Sequence, residues 1–249
     1  MFNIASKHIL ITGAGSGIGL SLASHFKKMG CIVSAVDLKI NNELSALGVD
    51  CFSADVSDET SLLLAFELAC KKHGKFDGLI NNAGIAIPEG PLGNVDIAIL
   101  EKVLNVNVKG VYIGTKYATR FLNDGGSIIN TASLAASVTL PEYSIYSMSK
   151  ASVIQLTKNA ALQLGCRNIR VNSISPGTVL TPMEPSDGCE AILAKNTTAL
   201  GRPALVDDLH GVYHFLLSDA SKYITGINIK VDGGWSAGMT YSGVERLSR

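Results

Sequence analysis

An excess of charge of either sign is missing from this chain: 21 lysines and arginines face 21 aspartates and glutamates across 249 residues. No global field is available to gather phosphates or an anionic surface, so nucleic acid is not an expected partner. Long apolar runs are missing too. Although 47% of the residues are hydrophobic, no stretch reaches the roughly 18 apolar residues of a membrane span. The charge-free segment 125–141 is loaded with serine, threonine and asparagine. The N-terminal MFNIASKHILITGAG lacks a charged leader region and a small-residue cleavage site, which makes a cytoplasmic location the expectation. Paired cysteines are lacking: the five, at Cys31, Cys51, Cys70, Cys166 and Cys189, are odd in number and scattered, with no C-x-x-C. They read as small buried hydrophobes in a reducing compartment. Metal-ligand patterns are equally thin. His210 and His214 stand four apart, but Gly211 fills the place of a zinc-helix glutamate, and a solvated helix face accounts for the spacing, so no metal is expected. No linker composition divides the chain, so 1–249 is read as one domain. A chain of this length can bury about 70% of its surface, enough for a stable core.

What is present is an alternation. Lys7 to Thr12 is a short isoleucine-rich run stopped by glycine, the mark of a buried strand. Leu22, Ala23, Phe26 and Met29 at helical spacing, with Gly30 as C-cap, predict a helix over 20–29. Strands follow over 31–37 and about 49–53, then a helix over about 58–72 and a strand over 76–81. Three strand–helix units in succession predict an α/β fold, a doubly wound parallel sheet with right-handed crossovers and helices on both faces. The second half continues it, with helices over about 97–121, 145–164 and 206–217 and strands over 127–131, 169–174 and 226–231. Between Pro176 and Pro203, four prolines interrupt any period. The stretch of about 178–203 is read as a substrate loop, a lid or binding segment.

The first strand empties into TGAGSGIG, with glycines at Gly13, Gly15, Gly17 and Gly19 and a helix directly after. Such glycines permit positive φ and let a pyrophosphate approach the helix N-terminus. An acid follows at Asp37, 18 residues past Gly19 at the tip of the second strand, near the ~20 expected of a dinucleotide fold. A carboxylate there accepts from both ribose hydroxyls and repels a 2′-phosphate, which favours NAD over NADP. Ser16 stands where a basic side chain would meet that phosphate, although Lys39 is close by.

Tyr146 and Lys150 sit four apart on a predicted helix, about 6 Å along one face. A phenol is a poor base at neutral pH, and an ammonium one turn away is expected to acidify it. Ser133 lies just past the strand 127–131, at the carboxyl edge where open parallel sheets place ligands. Its hydroxyl is suited to hold a carbonyl oxygen while the tyrosine delivers the proton.

TGAGSGIG (12–19), Asp55-Val56, NNAG (81–84), NVNVKG (105–110), Ser133, Tyr146 with Lys150, and Pro176-Gly177 stand in one order along the whole chain. In that order and spacing the sequence resembles the short-chain dehydrogenase/reductase family, in its typical cytosolic branch. The resemblance implies a seven-stranded Rossmann-type sheet and a tetrad of Asn107, Ser133, Tyr146 and Lys150. Asn107, by side chain or backbone, would hold a water relaying protons from Lys150. It further implies Gly13, Ser16, Gly17, Ile18 and Gly19 around the pyrophosphate, Ile18 through its backbone, and Asp55 and Val56 at the adenine. Asn81, Ala83 and Gly84 would line the cofactor and stabilise the central strand, Asn82 would bind the cofactor, Lys150 would bind the nicotinamide ribose, and Val179 and Thr181 the carboxamide beyond Pro176-Gly177. Hydride would leave from the pro-S face. Homodimers or homotetramers would form through the helices 97–121 and 145–164.

On this basis the expected activity is NAD-dependent interconversion of a small-molecule secondary alcohol and ketone. The pocket walls are expected from 85–88, 134–136, 140–143 and 181–200, with Glu142, Glu184 and Asp187 as polar anchors. Two alternatives share the fold: an NADPH-dependent acyl-carrier ketoreductase, which Ser16 and Leu38 serve poorly, and a non-catalytic nucleotide-binding member, which would not need a filled tetrad. A serine hydrolase fails for want of G-x-S-x-G.

Overall fold

The isoleucine-rich run after Lys7 forms strand β1 (His8–Thr12), buried along its whole length because helices cover both faces of the sheet. Ile9 and Ile11 point into one apolar layer and Leu10 into the other, as the two-residue repeat of a strand requires. The computed structural model describes residues 1–183 and 186–240. Its strands are β1, β2 (Ile32–Asp37), β3 (Asp50–Ser53), β4 (Phe76–Asn81), β5 (Leu122–Thr131), β6 (Arg170–Pro176) and β7 (Asn228–Val231). They form one parallel sheet in the order β3-β2-β1-β4-β5-β6-β7. The chain runs outward one way from β1 and the other way from β4, so the carboxyl ends of these two strands diverge and open a crevice.

The helices are α1 (Gly17–Lys28), α2 (Asn42–Ala46), α3 (Glu59–His73), α4 (Ile97–Leu104), α5 (Gly110–Phe121), α6 (Ser144–Leu164), α7 (Cys189–Thr197) and α8 (His210–Leu217). Phe26 of α1 and Tyr213 of α8 pack with Ile9, Ile11 and Ile129 on one face. Phe66 of α3, Phe121 of α5 and Leu164 of α6 pack with Leu10, Leu79 and Ile128 on the other. None of the helices among the described residues is long and apolar enough to cross a membrane.

Four sequence expectations need correction. The helix expected over 97–121 is two helices joined by a π turn, Asn105–Lys109. The stretch between Pro176 and Pro203 holds a helix, α7, and Val179 bridges to Ala204, so it is partly built and not a bare loop. Of the five cysteines only Cys31 is buried, while Cys166 and Cys189 are exposed. His210 and His214 do not face solvent freely: they pack on α1, His210 stacking on His25 at 4.3 Å and bonding Ser21 at 2.7 Å.

Candidate active site

The crevice at the carboxyl edge of the sheet is a cleft of about 490 Å³. Its floor begins where β1 ends. Gly13 takes φ +66°, and a Cβ there would lie 2.7 Å from the Ala83 backbone, so only glycine lets the loop pass β4 this closely. Gly13, Ser16, Gly17 and Ile18 line the cleft. Gly19 does not, which corrects the expectation for it. A Cβ on Gly19 would fall 2.0 Å from the Gly13 carbonyl, so its role is the close seating of α1 on the loop.

At one end of the cleft Asp37 is fixed by backbone donors, accepting from Gly15 N–H at 2.7 Å and Lys39 N–H at 3.0 Å. The Asn41 side chain closes the same corner by donating to the Gly15 carbonyl at 2.7 Å. Asp55 and Val56 line the wall beyond, Asp55 accepting from the Ser57 hydroxyl at 2.7 Å. Asn82, Ala83 and Gly84 follow from the end of β4. The Asn82 amide donates to the carbonyls of Thr12 and Gly13, both at 3.2 Å, and so ties β4 to the glycine loop. Asn81 differs from expectation at the cofactor and agrees with it at the central strand. It lies buried under α5, donating to Asn130 at 2.9 Å and Thr115 at 3.3 Å, and does not line the cleft.

The other end is built by β5 and α6. Ser133 follows β5, its Oγ accepting from Ala135 N–H at 3.1 Å, and it lines the cleft together with Tyr146, whose phenol it influences. Lys150 is buried, with Nζ donating to the Thr131 carbonyl at 2.9 Å and lying 5.7 Å from the centre of the Tyr146 ring. Burial pulls the Lys150 ammonium down to about 8. Burial pushes the Tyr146 phenol upward; the Ser133 side chain opposes this, while Glu190 and Tyr143 add to it. In the protein alone burial therefore outweighs the expected acidification of Tyr146 by Lys150: loss of hydration penalises both charged forms, and one of the three ammonium donors is taken by the Thr131 carbonyl. Asn107, in the π turn, is fully buried and outside the cleft lining. Its side chain accepts from Ile85 N–H at 2.8 Å and donates to the Ile85 carbonyl at 2.9 Å and Ser149 at 3.0 Å. With those groups engaged, its side chain is not free to hold a relay water.

Pro176, Gly177, Val179 and Thr181 close the cleft opposite Gly17. Most of the remaining wall is apolar, with Ile85, Ala86, Pro88, Leu134, Leu140 and Met183. Trp235, Val106 and Val138 also line it and were not expected. Of the expected polar anchors, Glu142 and Asp187 lie outside the lining, and Glu184 falls outside the described residues. The acid that does enter is Glu190, on α7.

Residues 13–236 match a family model described as enoyl-(acyl carrier protein) reductase. The chain is 38% identical to a borneol dehydrogenase, termed mitochondrial, of Lavandula x intermedia, over 94% of this chain and 92% of that protein. The chain belongs to the short-chain dehydrogenase/reductase family. Two solved structures of this kind show the fold with a dinucleotide. A 3-ketoacyl-(acyl-carrier-protein) reductase of Brucella melitensis, complexed with NADH, matches with a TM-score of 0.88 and 32% identity over 94% of this chain and 99% of its own. A blue fluorescent protein from a metagenomic library, in complex with NADPH, matches with 0.86 and 30% identity over the same shares. Members of the family are oxidoreductases using NAD(P)(H), which fixes the class of chemistry the cleft serves.

Proposed function

We propose that the protein interconverts a secondary alcohol and a ketone with NAD(H), Tyr146 transferring the proton. The observation that carries this reading is convergence: Ser133, Tyr146 and Lys150 open into the same cleft as the glycine loop and Asp37. The residues fit a dinucleotide. Helix α1 starts with no acid in its first turn and no side-chain cap, which leaves its N-terminal N–H groups for phosphate. Gly13, Ser16, Gly17 and Ile18 would hold the pyrophosphate, Asp37 the adenosine ribose, and Asp55 and Val56 the adenine. Asn82, Ala83 and Gly84 would follow the chain of the cofactor to Lys150 at the second ribose. Pro176, Gly177, Val179 and Thr181 would hold the carboxamide.

When bound, the oxidised nicotinamide supplies the hydride acceptor and a positive charge that favours phenolate. The phenolate of Tyr146 takes the proton of the substrate hydroxyl, and Ser133 holds the oxygen as it becomes a carbonyl. Lys150 binds the ribose and passes the proton onward, with the relay water falling to the Asn107 backbone. Reduction is the reverse. Asp37, pinned as an acceptor, favours NAD, and among the described residues no cation but Lys150 lines the cleft to meet a 2′-phosphate. NAD in turn favours oxidation. The apolar walls suit a medium-sized, cyclic alcohol. The exposed Tyr112 of α5 and Met148 of α6 support assembly as a homodimer or homotetramer through these helices.

A panel of secondary alcohols, each offered with NAD⁺ and NADP⁺ and followed by cofactor absorbance, tests the reading. Turnover faster with NAD⁺ is expected. Tight cofactor binding without turnover of any alcohol or ketone would instead support a non-catalytic member.

A further inference from the structure

Helix α6, which carries Tyr146, has a poor start of its own. Its N-cap is Tyr143, with no side-chain cap bond, and its first turn has no acid. A helix leaves its first N–H groups without internal partners, and an uncapped first turn frays. Tyr146 lies in that turn, directly after Ser144 and Ile145. The missing acceptor comes from another part of the chain. Glu89, buried in the loop after β4, accepts from Ile145 N–H at 2.6 Å and from the Ser144 hydroxyl at 2.5 Å. Its own N–H donates to the Glu142 carbonyl at 3.0 Å, so the loop is stitched to both sides of the helix entry. A carboxylate here also faces the positive end of the helix dipole. The same loop sends Ile85, Ala86 and Pro88 to the wall of the cleft.

We propose that Glu89 is a positioning residue, capping α6 from the substrate side and so holding the Tyr146 phenol against Ser133. The proposal rests on the assignment of Tyr146 as the proton-transfer group. In the free helix the first turn would shift by fractions of an ångström, which matters little for folding and much for proton transfer. The loop that walls the cleft and the turn that presents the phenol would then move as one piece.

Glu89→Ala and Glu89→Gln test it in the full-length protein. Glu89→Ala is expected to lower kcat by about 10- to 100-fold with KM and NADH affinity within about threefold, because misplacement affects the reacting step and not binding. Glu89→Gln, whose amide oxygen still accepts from Ile145, is expected to recover most of that loss. Amide hydrogen exchange at 145–147 should quicken about tenfold in Glu89→Ala, the effect of a lost cap, and stay near wild type in Glu89→Gln. Unchanged exchange in Glu89→Ala overturns the cap whether or not any substrate is turned over. Faster exchange with unchanged kcat, or kcat and NADH affinity falling together without rescue by glutamine, overturns the positioning role. Activity that survives Tyr146→Phe would fail the tyrosine assignment and leave the exchange result to judge the cap alone.

Discussion

Two charged side chains decide how the cleft behaves, and they are held in opposite ways. Asp37 is surrounded by donors, with Gly15 and Lys39 N–H groups on its oxygens. On the proposed reading, removing that carboxylate would take away the ribose acceptor and the repulsion of a 2′-phosphate together. Asp37→Ala should thus weaken NADH binding and narrow the gap to NADPH, as competitive titrations of both would show; unchanged discrimination would reject the ribose role. Lys150 is the reverse case, a buried cation with a carbonyl partner, whose charged form is penalised by loss of hydration. Its folded value near 8 lies below its ordinary 10.5, so the unfolded chain holds this proton more tightly. Below pH 8 the charged lysine costs the fold about 3 kcal/mol, and the cost disappears as pH rises from 8 to 10.5. Lys150→Met is expected to raise the urea midpoint at pH 7 and to flatten the pH dependence in that window. A lower midpoint would show that the Thr131 bond outweighs desolvation.

At the scale of elements, the packing of α1 on α8 carries a titration of its own. His25, His210 and His214 meet there, with His25 Nε2 and His214 Nδ1 3.4 Å apart. Burial first, then the neighbouring His210, His214 and Lys28, bring His25 down to about 4, and burial also lowers His210 against the pull of Asp207. Between pH 6.5 and 4 the unfolded chain binds the protons that the folded one refuses, so stability falls as pH falls through this window. His25→Asn should flatten the fall in Tm over that range, and an unchanged slope would place its origin elsewhere. These elements were only partly visible in the sequence. β1, α1, β4 and α6 declare themselves by apolar period and by the residues that stop them. The π turn at 105–109 is hidden because the apolar period runs straight through it. Helix α7 is hidden because Ala191, Ile192, Leu193 and Ala194 are consecutive and trace no face. The histidines mislead because spacing along one helix says nothing of the helix packed against it.

Across the whole molecule, the divergence of β1 and β4 brings the glycine loop, the β2 tip, the end of β5 and the first turn of α6 to one edge. That convergence was legible wherever a residue type is forced, as at Gly13, Asp37 and the Tyr146–Lys150 pair. For Glu190 only the wall segment 181–200 was legible and not the residue itself; Trp235, which reaches the cleft by the path of a long connection, was not legible, nor was Glu89, whose partners lie across the chain. On the proposed reading the sheet assembles a dinucleotide site and a phenol beside it, and the two should be separable. Tyr146→Phe tests this most directly, with NADH affinity and alcohol turnover measured on the same preparation. Affinity within about twofold of wild type and a rate lower by about 10²- to 10⁴-fold are expected of a lost proton-transfer group. A phenylalanine variant that still oxidises the alcohol at near the wild-type rate would contradict the assignment.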